Sequence, residues 1–180
     1  YYMVRDLRSP ATAPPDLQPS TIVKGKVSLG YPAWSIPPGM NPSAAAPAIR
    51  SLSRLQSFRR DIYARVAAMV QNKSEELYAS NAPAPSNDDN PVKAIVIALS
   101  NGVESRYPGW DSLPDDYDPR VHPWFKLALG KHAPQWGDPY TSGITHTLEL
   151  PLSVPVYDEK GEQSGVVSML LMPARMVQTL

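Results

Sequence analysis

The 180-residue chain contains no cysteine. Disulfides, thiolate catalysis, cysteine-type zinc sites and iron–sulfur clusters are therefore excluded, while the compartment stays open. No run of about 18 apolar residues occurs, so nothing in it reads as a membrane span. Net charge is also lacking: 17 Lys plus Arg balance 17 Asp plus Glu. That argues against a nucleic-acid binder working by phosphate neutralisation and against a polybasic membrane binder. Histidine is scarce, and His122, His132 and His146 are spaced by 10 and 14 residues. No local helix or hairpin geometry makes a zinc triad of those spacings. G-x-S-x-G, P-loop, H-E-x-x-H and EF-hand signatures are all missing, and no nucleophile–base pair is apparent, so the chain does not read as an enzyme. It has neither an initiator Met nor a signal-peptide pattern at Tyr1, and reads as a piece of something longer.

What is present is a globular composition, 42% apolar and 19% charged, long enough to build a core without staples. Proline is abundant, 21 in all, and concentrated early, with Pro14-Pro15 and Pro37-Pro38. Residues 1–46 are expected as an extended, Pro-rich strap or linker, with one β-prone segment at Thr21–Leu29. Pro47 suits the first turn of a helix. Ile49, Leu52, Leu55, Ile62, Val66, Met69, Val70 and Leu77 then recur at helical spacing, which predicts a long helix over 47–79. Arg50, Arg54, Arg59, Arg60, Arg65 and Lys73 fall on its other faces, as a solvated surface or a basic face for an acidic partner. Asn72-Lys73-Ser74 fits a glycosylation sequon but sits on that helix and is read as chance. Residues 81–91 are a loop by composition.

The period then changes. Val92–Leu99 is nearly continuous apolar sequence, expected as a central strand. Asn101-Gly102 signals a hairpin turn, and Glu104–Tyr107 is the returning strand. A loop over Trp110–Pro119, a short helix over His122–Leu129 and an extended edge at Gln135–Thr141 follow. From Thr147 the alternation is strict: Leu148, Leu150, Leu152, Val154 and Val156 point one way, and Glu149, Pro151, Ser153, Pro155 and Tyr157 the other. Val166–Met172 is a second central strand. The fold class is α+β, a long helix covering one face of an antiparallel sheet, with the loop-and-helix excursion crossing the other face over a pocket.

That excursion holds Tyr107, Trp110, Tyr117, Trp124, Phe125, Trp136 and Tyr140, with Asp118, Arg120 and His122 interleaved. Aromatic walls with a few polar groups suit a small-ligand pocket, and their faces suit cationic amines. They equally suit a core for a Pro-rich loop. Asp111, Asp115, Asp116 and Asp118 crowd one loop, as a calcium site or as solvated turns and caps.

Tyr107-Pro-Gly, Tyr117-Asp-Pro-Arg120-Val-His-Pro-Trp124-Phe125-Lys-Leu-Ala128, Trp136-Gly-Asp-Pro-Tyr140, Pro155-Val-Tyr-Asp158 and Gly165-Val-Val, in that order, resemble the Cache family. Its members are PAS-like extracytoplasmic sensor domains of bacterial receptors. The resemblance covers roughly residues 92–173. It implies a single sensor domain over 47–180, with a long N-terminal helix on a five-stranded antiparallel sheet of order 2-1-5-4-3. It also implies a small-molecule ligand, attachment to the inner membrane through segments outside this chain and a periplasmic or extracellular location. No cofactor is expected, and the long helix offers a surface for a homodimer. Set against the family's amino-acid motif, Tyr117, Trp124 and Tyr140 match, Phe125 replaces a Tyr, and His122 stands where an Arg grips the ligand carboxylate. The Asp that neutralises the amine would fall near Met169 or Leu170, and neither can do so. The expected ligand is therefore a carboxylate or a neutral polar metabolite and not an ordinary α-amino acid. Its site is Tyr117, His122, Trp124, Phe125, Tyr140, Trp136 and Tyr107, with Asp118–Arg120 as a loop brace. With His122 as donor, carboxylate affinity is expected to fall as pH rises from about 6 to 8. The rival readings are a free-standing periplasmic binding protein and a ligand-free dimerisation module.

Overall fold

The computed structural model describes residues 3–4, 16–20, 25–70, 90–111 and 113–177. In chain order the strands are β1 (Met3–Val4), β2 (Gln18–Pro19), β3 (Lys26–Ser28), β4 (Ala33–Ser35), β5 (Val92–Leu99), β6 (Glu104–Tyr107), β7 (Gly109–Trp110), β8 (Gln135–Trp136), β9 (Tyr140–Thr141), β10 (Leu148–Tyr157) and β11 (Gln163–Leu171). The helices are α1 (Pro42–Ser53), α2 (Gln56–Val70), α3 (Pro123–Leu127) and α4 (Pro173–Val177).

The main sheet runs β1-β4-β6-β5-β11-β10-β8, with β9 also paired to β10. The five strands from β6 to β8 stand in the order 2-1-5-4-3 of their sequence, joined by antiparallel ladders. The β5–β6 hairpin is closed as Asn101-Gly102 predicts: Gly102 has φ +90°, and Asn101 Oδ1 accepts from the Val103 amide at 3.1 Å.

β5 is covered on both faces. Ile95 and Ile97 meet the helices, where α2 supplies Tyr63 and α1 supplies Leu52 beside Trp34. Ala94, Val96 and Ala98 meet the excursion, packing with Trp110, Leu113, Tyr117, Trp124 and Phe125. The small side chains on that face leave depth for the large rings descending from the other side.

The expected single helix over 47–79 is instead two helices, broken at Arg54–Leu55, and residues 71–79 lie outside the described residues. The first helix begins at Pro42, not Pro47. Asn41 caps it by accepting from the Ser43 amide at 2.9 Å, and Pro42 fills the first turn, where a missing N–H costs nothing. Pro47 lies inside α1. The stretch 1–46, expected as a strap, contributes strands as well: β4 joins the main sheet beside β6, and β2-β3-β7 form a small second sheet. Val27 and Trp34 are buried from it. Of the segment Thr21–Leu29, Lys26–Ser28 is a strand, and residues 21–24 lie outside the described residues.

β10 alternates as expected, but with its faces reversed. Glu149, Pro151 and Ser153 are buried, Leu150 and Leu152 are half-buried, and Leu148 is 48% exposed. The excursion covers the face that carries Glu149, so cover and not side-chain polarity decides which side is inside.

Candidate functional site

Four charged residues, none more than 2% exposed, meet beneath the excursion: Lys93, Glu104, Arg106 and Glu149. Backbone geometry explains each. Leu171 pairs with Val92 and Leu170 with Ala94, so Lys93 is an extra residue in β5. Such a bulge lets a side chain reach a face that strict alternation would deny it. Glu104 and Arg106 are two apart on β6 and share the excursion face, while Ser105 and Tyr107 point to the helices. Glu149 comes from the covered face of β10.

The four charges form two similar triads, each a cation, a carboxylate and a tyrosine. In the first, Arg106 Nε donates to Glu104 Oε1 at 2.8 Å and Nη2 donates to the Tyr117 hydroxyl at 2.8 Å. Tyr117 in turn donates to Glu104 Oε2. In the second, Lys93 Nζ donates to Glu149 Oε1, to Thr145 Oγ1 and, at 2.6 Å, to Thr147 Oγ1. The Tyr140 hydroxyl donates to Glu149 Oε2 at 2.6 Å. Trp110 stands between the triads, with Arg106 Cζ 4.5 Å and Lys93 Nζ 5.5 Å from its ring centroid.

Charge is balanced within the cluster, as burial requires. Desolvation lowers the pKa of Lys93 although Glu149 opposes it. Desolvation also pulls Arg106 down, but Glu104, Tyr117 and Glu149 outweigh it and the net shift is upward. Burial and the adjacent Glu104 push the Tyr117 hydroxyl far up, and burial and Glu149 do the same to Tyr140. Among the described residues, nothing accepts a hydrogen bond from Arg106 Nη1.

The structure brings Tyr117, His122 and Tyr140 to this cluster. The His122 ring is 4.9 Å from that of Tyr117, and burial holds its pKa below the ordinary histidine value. His122 is thus neutral over pH 7 to 8, and the window expected from its titration moves to lower pH. Trp124 and Phe125 pack edge to face at 5.8 Å in the core under the excursion. Trp124 is fixed through its carbonyl, which accepts from Ser153 Oγ at 2.7 Å.

Two expected site residues lie elsewhere. Tyr107 is on the helix face, edge to face with Tyr63 at 5.5 Å, because β6 alternates. Trp136 is 60% exposed on the edge strand β8. Asp118 and Arg120 pair as a loop brace at 2.6 Å, and Asp118 also accepts from the Arg120 amide. A cleft of about 350 Å³ opens beside Tyr117, between the 35–42 segment and Pro114–Asp115. Among the described residues no group of three or more acidic, His or Cys side chains could hold a metal.

Sequence reasoning overlooked Lys93, Glu104, Arg106 and Glu149. The signals were there: a lysine inside an apolar central strand, an acid and a base two apart on its hairpin partner, and an acid in an alternating strand. Read locally, each fits strand patterning or a solvent face.

A sheet layered between helices and a loop-and-helix cover is the α+β arrangement of a sensor domain of the Cache type. Residues 62–177 match the model of the methyl-accepting chemotaxis protein-like first PDC sensor domain, and the chain belongs to that family. The family is one of sensors, not enzymes. No curated protein matches the chain. Among solved structures, the ligand-binding domain of the Pseudomonas fluorescens chemoreceptor CtaA in complex with L-serine is 20% identical, covers 77% of this chain and 59% of its own, and has a TM-score of 0.45. That of the Pseudomonas aeruginosa PAO1 amino acid chemoreceptor PctB in complex with L-Arg is 22% identical, with 76% and 53% covered and a TM-score of 0.45. The ligand-binding domain of Mlp24 with asparagine is 19% identical, with 77% and 60% covered and a TM-score of 0.43. The chain thus spans less than two thirds of the length of these structures.

Proposed function

We propose that this is the extracytoplasmic ligand-binding domain of a bacterial membrane receptor, and that it recognises a small carboxylate-bearing metabolite beneath the excursion. The observation that carries the ligand class is Arg106. Its guanidinium is buried, stacked over Trp110 and held by Glu104 and Tyr117, with Nη1 free of protein acceptors among the described residues. A guanidinium preorganised in this way is suited to a carboxylate, and it takes the role expected of His122. The cleft beside Tyr117 is the approach we assign to it, since Tyr117 both lines that cleft and holds Arg106. Relay across the membrane would run through the helices packed on the opposite face of the sheet.

A panel of organic acids, amines and sugars tested by thermal shift decides the ligand class. A ligand at 100 times its dissociation constant adds about 2.7 kcal/mol of stability. Acids are expected to raise Tm, and Tyr117→Phe, which unties one side of Arg106, is expected to weaken them. Indifference to every acid would refute the reading.

The second reading, a dimerisation module, is supported by α2, whose exposed Phe58 and Met69 continue from Leu55 as a stripe suited to a second copy of the chain.

A further inference from the structure

Resting on the reading of this cluster as a ligand site, we propose that Lys93 is a built-in occupant of an ammonium cage, so that the domain accepts small carboxylates and rejects their amino-bearing counterparts. The cage consists of the Glu149 carboxylate, the Thr145 and Thr147 hydroxyls and the ring of Trp110. A carboxylate, two hydroxyl acceptors and an aromatic face are what a primary ammonium group needs on leaving water. None of these groups comes from the strand that bears Lys93. They come from Trp110 on β7, from the turn before β10, and from β10 itself. Lys93 reaches them only because the bulge in β5 turns its side chain to this face.

The ammonium uses all three of its donors in the cage, and Tyr140 takes the remaining oxygen of Glu149 at 2.6 Å. The amine-receiving half of the site is therefore full, while Arg106 keeps Nη1 for an incoming carboxylate. A ligand ammonium would have to evict Lys93 and leave a buried charge unpaired, or share Glu149 with it.

Matched acids and amino acids test the selectivity in the wild-type domain. Lactate against alanine, and glycolate against glycine, are compared by calorimetry and thermal shift. The acid is expected to bind at least tenfold more tightly than its amino partner. Lys93→Ala then empties the cage. Its Tm is expected to rise with n-propylammonium, which carries the atoms the substitution removes, but not with n-propanol, and adding Glu149→Gln is expected to abolish the rise. Should Lys93→Ala not fold alone, refolding in the two additives gives the same readout: recovery with the amine only supports the cage, and recovery with both or neither overturns it. Alanine binding wild type within threefold of lactate, or Lys93→Ala ignoring n-propylammonium, also overturns it. If neither acids nor amino acids bind wild type, the carboxylate reading fails, while the amine rescue still judges the cage on its own.

Discussion

At the scale of single residues, the buried charges set the energetics. Removing one partner of a buried pair strands the other, at about 3–5 kcal/mol. Glu149→Ala is expected to lose that much in urea melts, because Lys93 stays behind with threonine hydroxyls and the Trp110 ring but no counter-charge. Lys93→Met with Glu149→Leu is expected to lose much less, since no charge is left unpaired. Similar losses in both proteins would contradict this ordering. His122 supplies a pH test. Burial lowers its pKa in the folded chain, so the unfolded chain takes up that proton first as pH falls below about 6.5. Stability should drop on acidification through that point and level off once the folded imidazole is charged too. His122→Asn is expected to flatten that part of the curve, and an unchanged slope between pH 7 and pH 5 would count against it. Arg59 is the odd cation. It is buried, it donates from both terminal nitrogens to Ser105, its Nε has no hydrogen-bond partner among the described residues, and desolvation lowers its pKa to about 10.

At the scale of elements, β5 shows how one strand serves two faces. Its small residues on the excursion side make room for the rings above, and its larger ones on the other side anchor the helices. Ala94→Leu should therefore overpack the excursion face, at about 1–3 kcal/mol. Chemical denaturation measures the loss, and a neutral substitution would mean the rings have slack. The neighbouring ladder is just as tight: a Cβ at Gly165 would lie 2.5 Å from the Ala98 carbonyl oxygen, so β5 and β11 approach closely there. The hairpin, the two central strands and the edge within Gln135–Thr141 were legible because turn chemistry and hydrophobic period are local. The break at Arg54–Leu55 was not, because the helical period runs through it, and the start at Pro42 was missed in favour of a later proline with the same local merits.

At the scale of the whole molecule, the sheet separates a helical face from the excursion-covered face, where the proposed ligand site lies. Arg59 links them by reaching from α2 to Ser105, the residue between Glu104 and Arg106. The opposite side of α2 exposes Phe58 by 62% and Met69 by 68%. If these cover a second copy, Phe58→Asp should shift sedimentation from dimer to monomer and remove the concentration dependence of Tm, and a wild-type domain that is monomeric at high concentration would remove the dimer reading. From sequence alone came the α+β layering, the central position of Val92–Leu99 and Val166–Met172, the aromatic excursion, and the family through its motif order. Only the tertiary structure decided which charges are inside. Burial of Glu149 depends on what covers β10, the direction of Lys93 on one unpaired residue in β5, and the exclusion of Tyr107 on the pleat of β6. All three are long-range facts, because a strand's own pattern says that its two faces differ but not which of them the rest of the chain will cover.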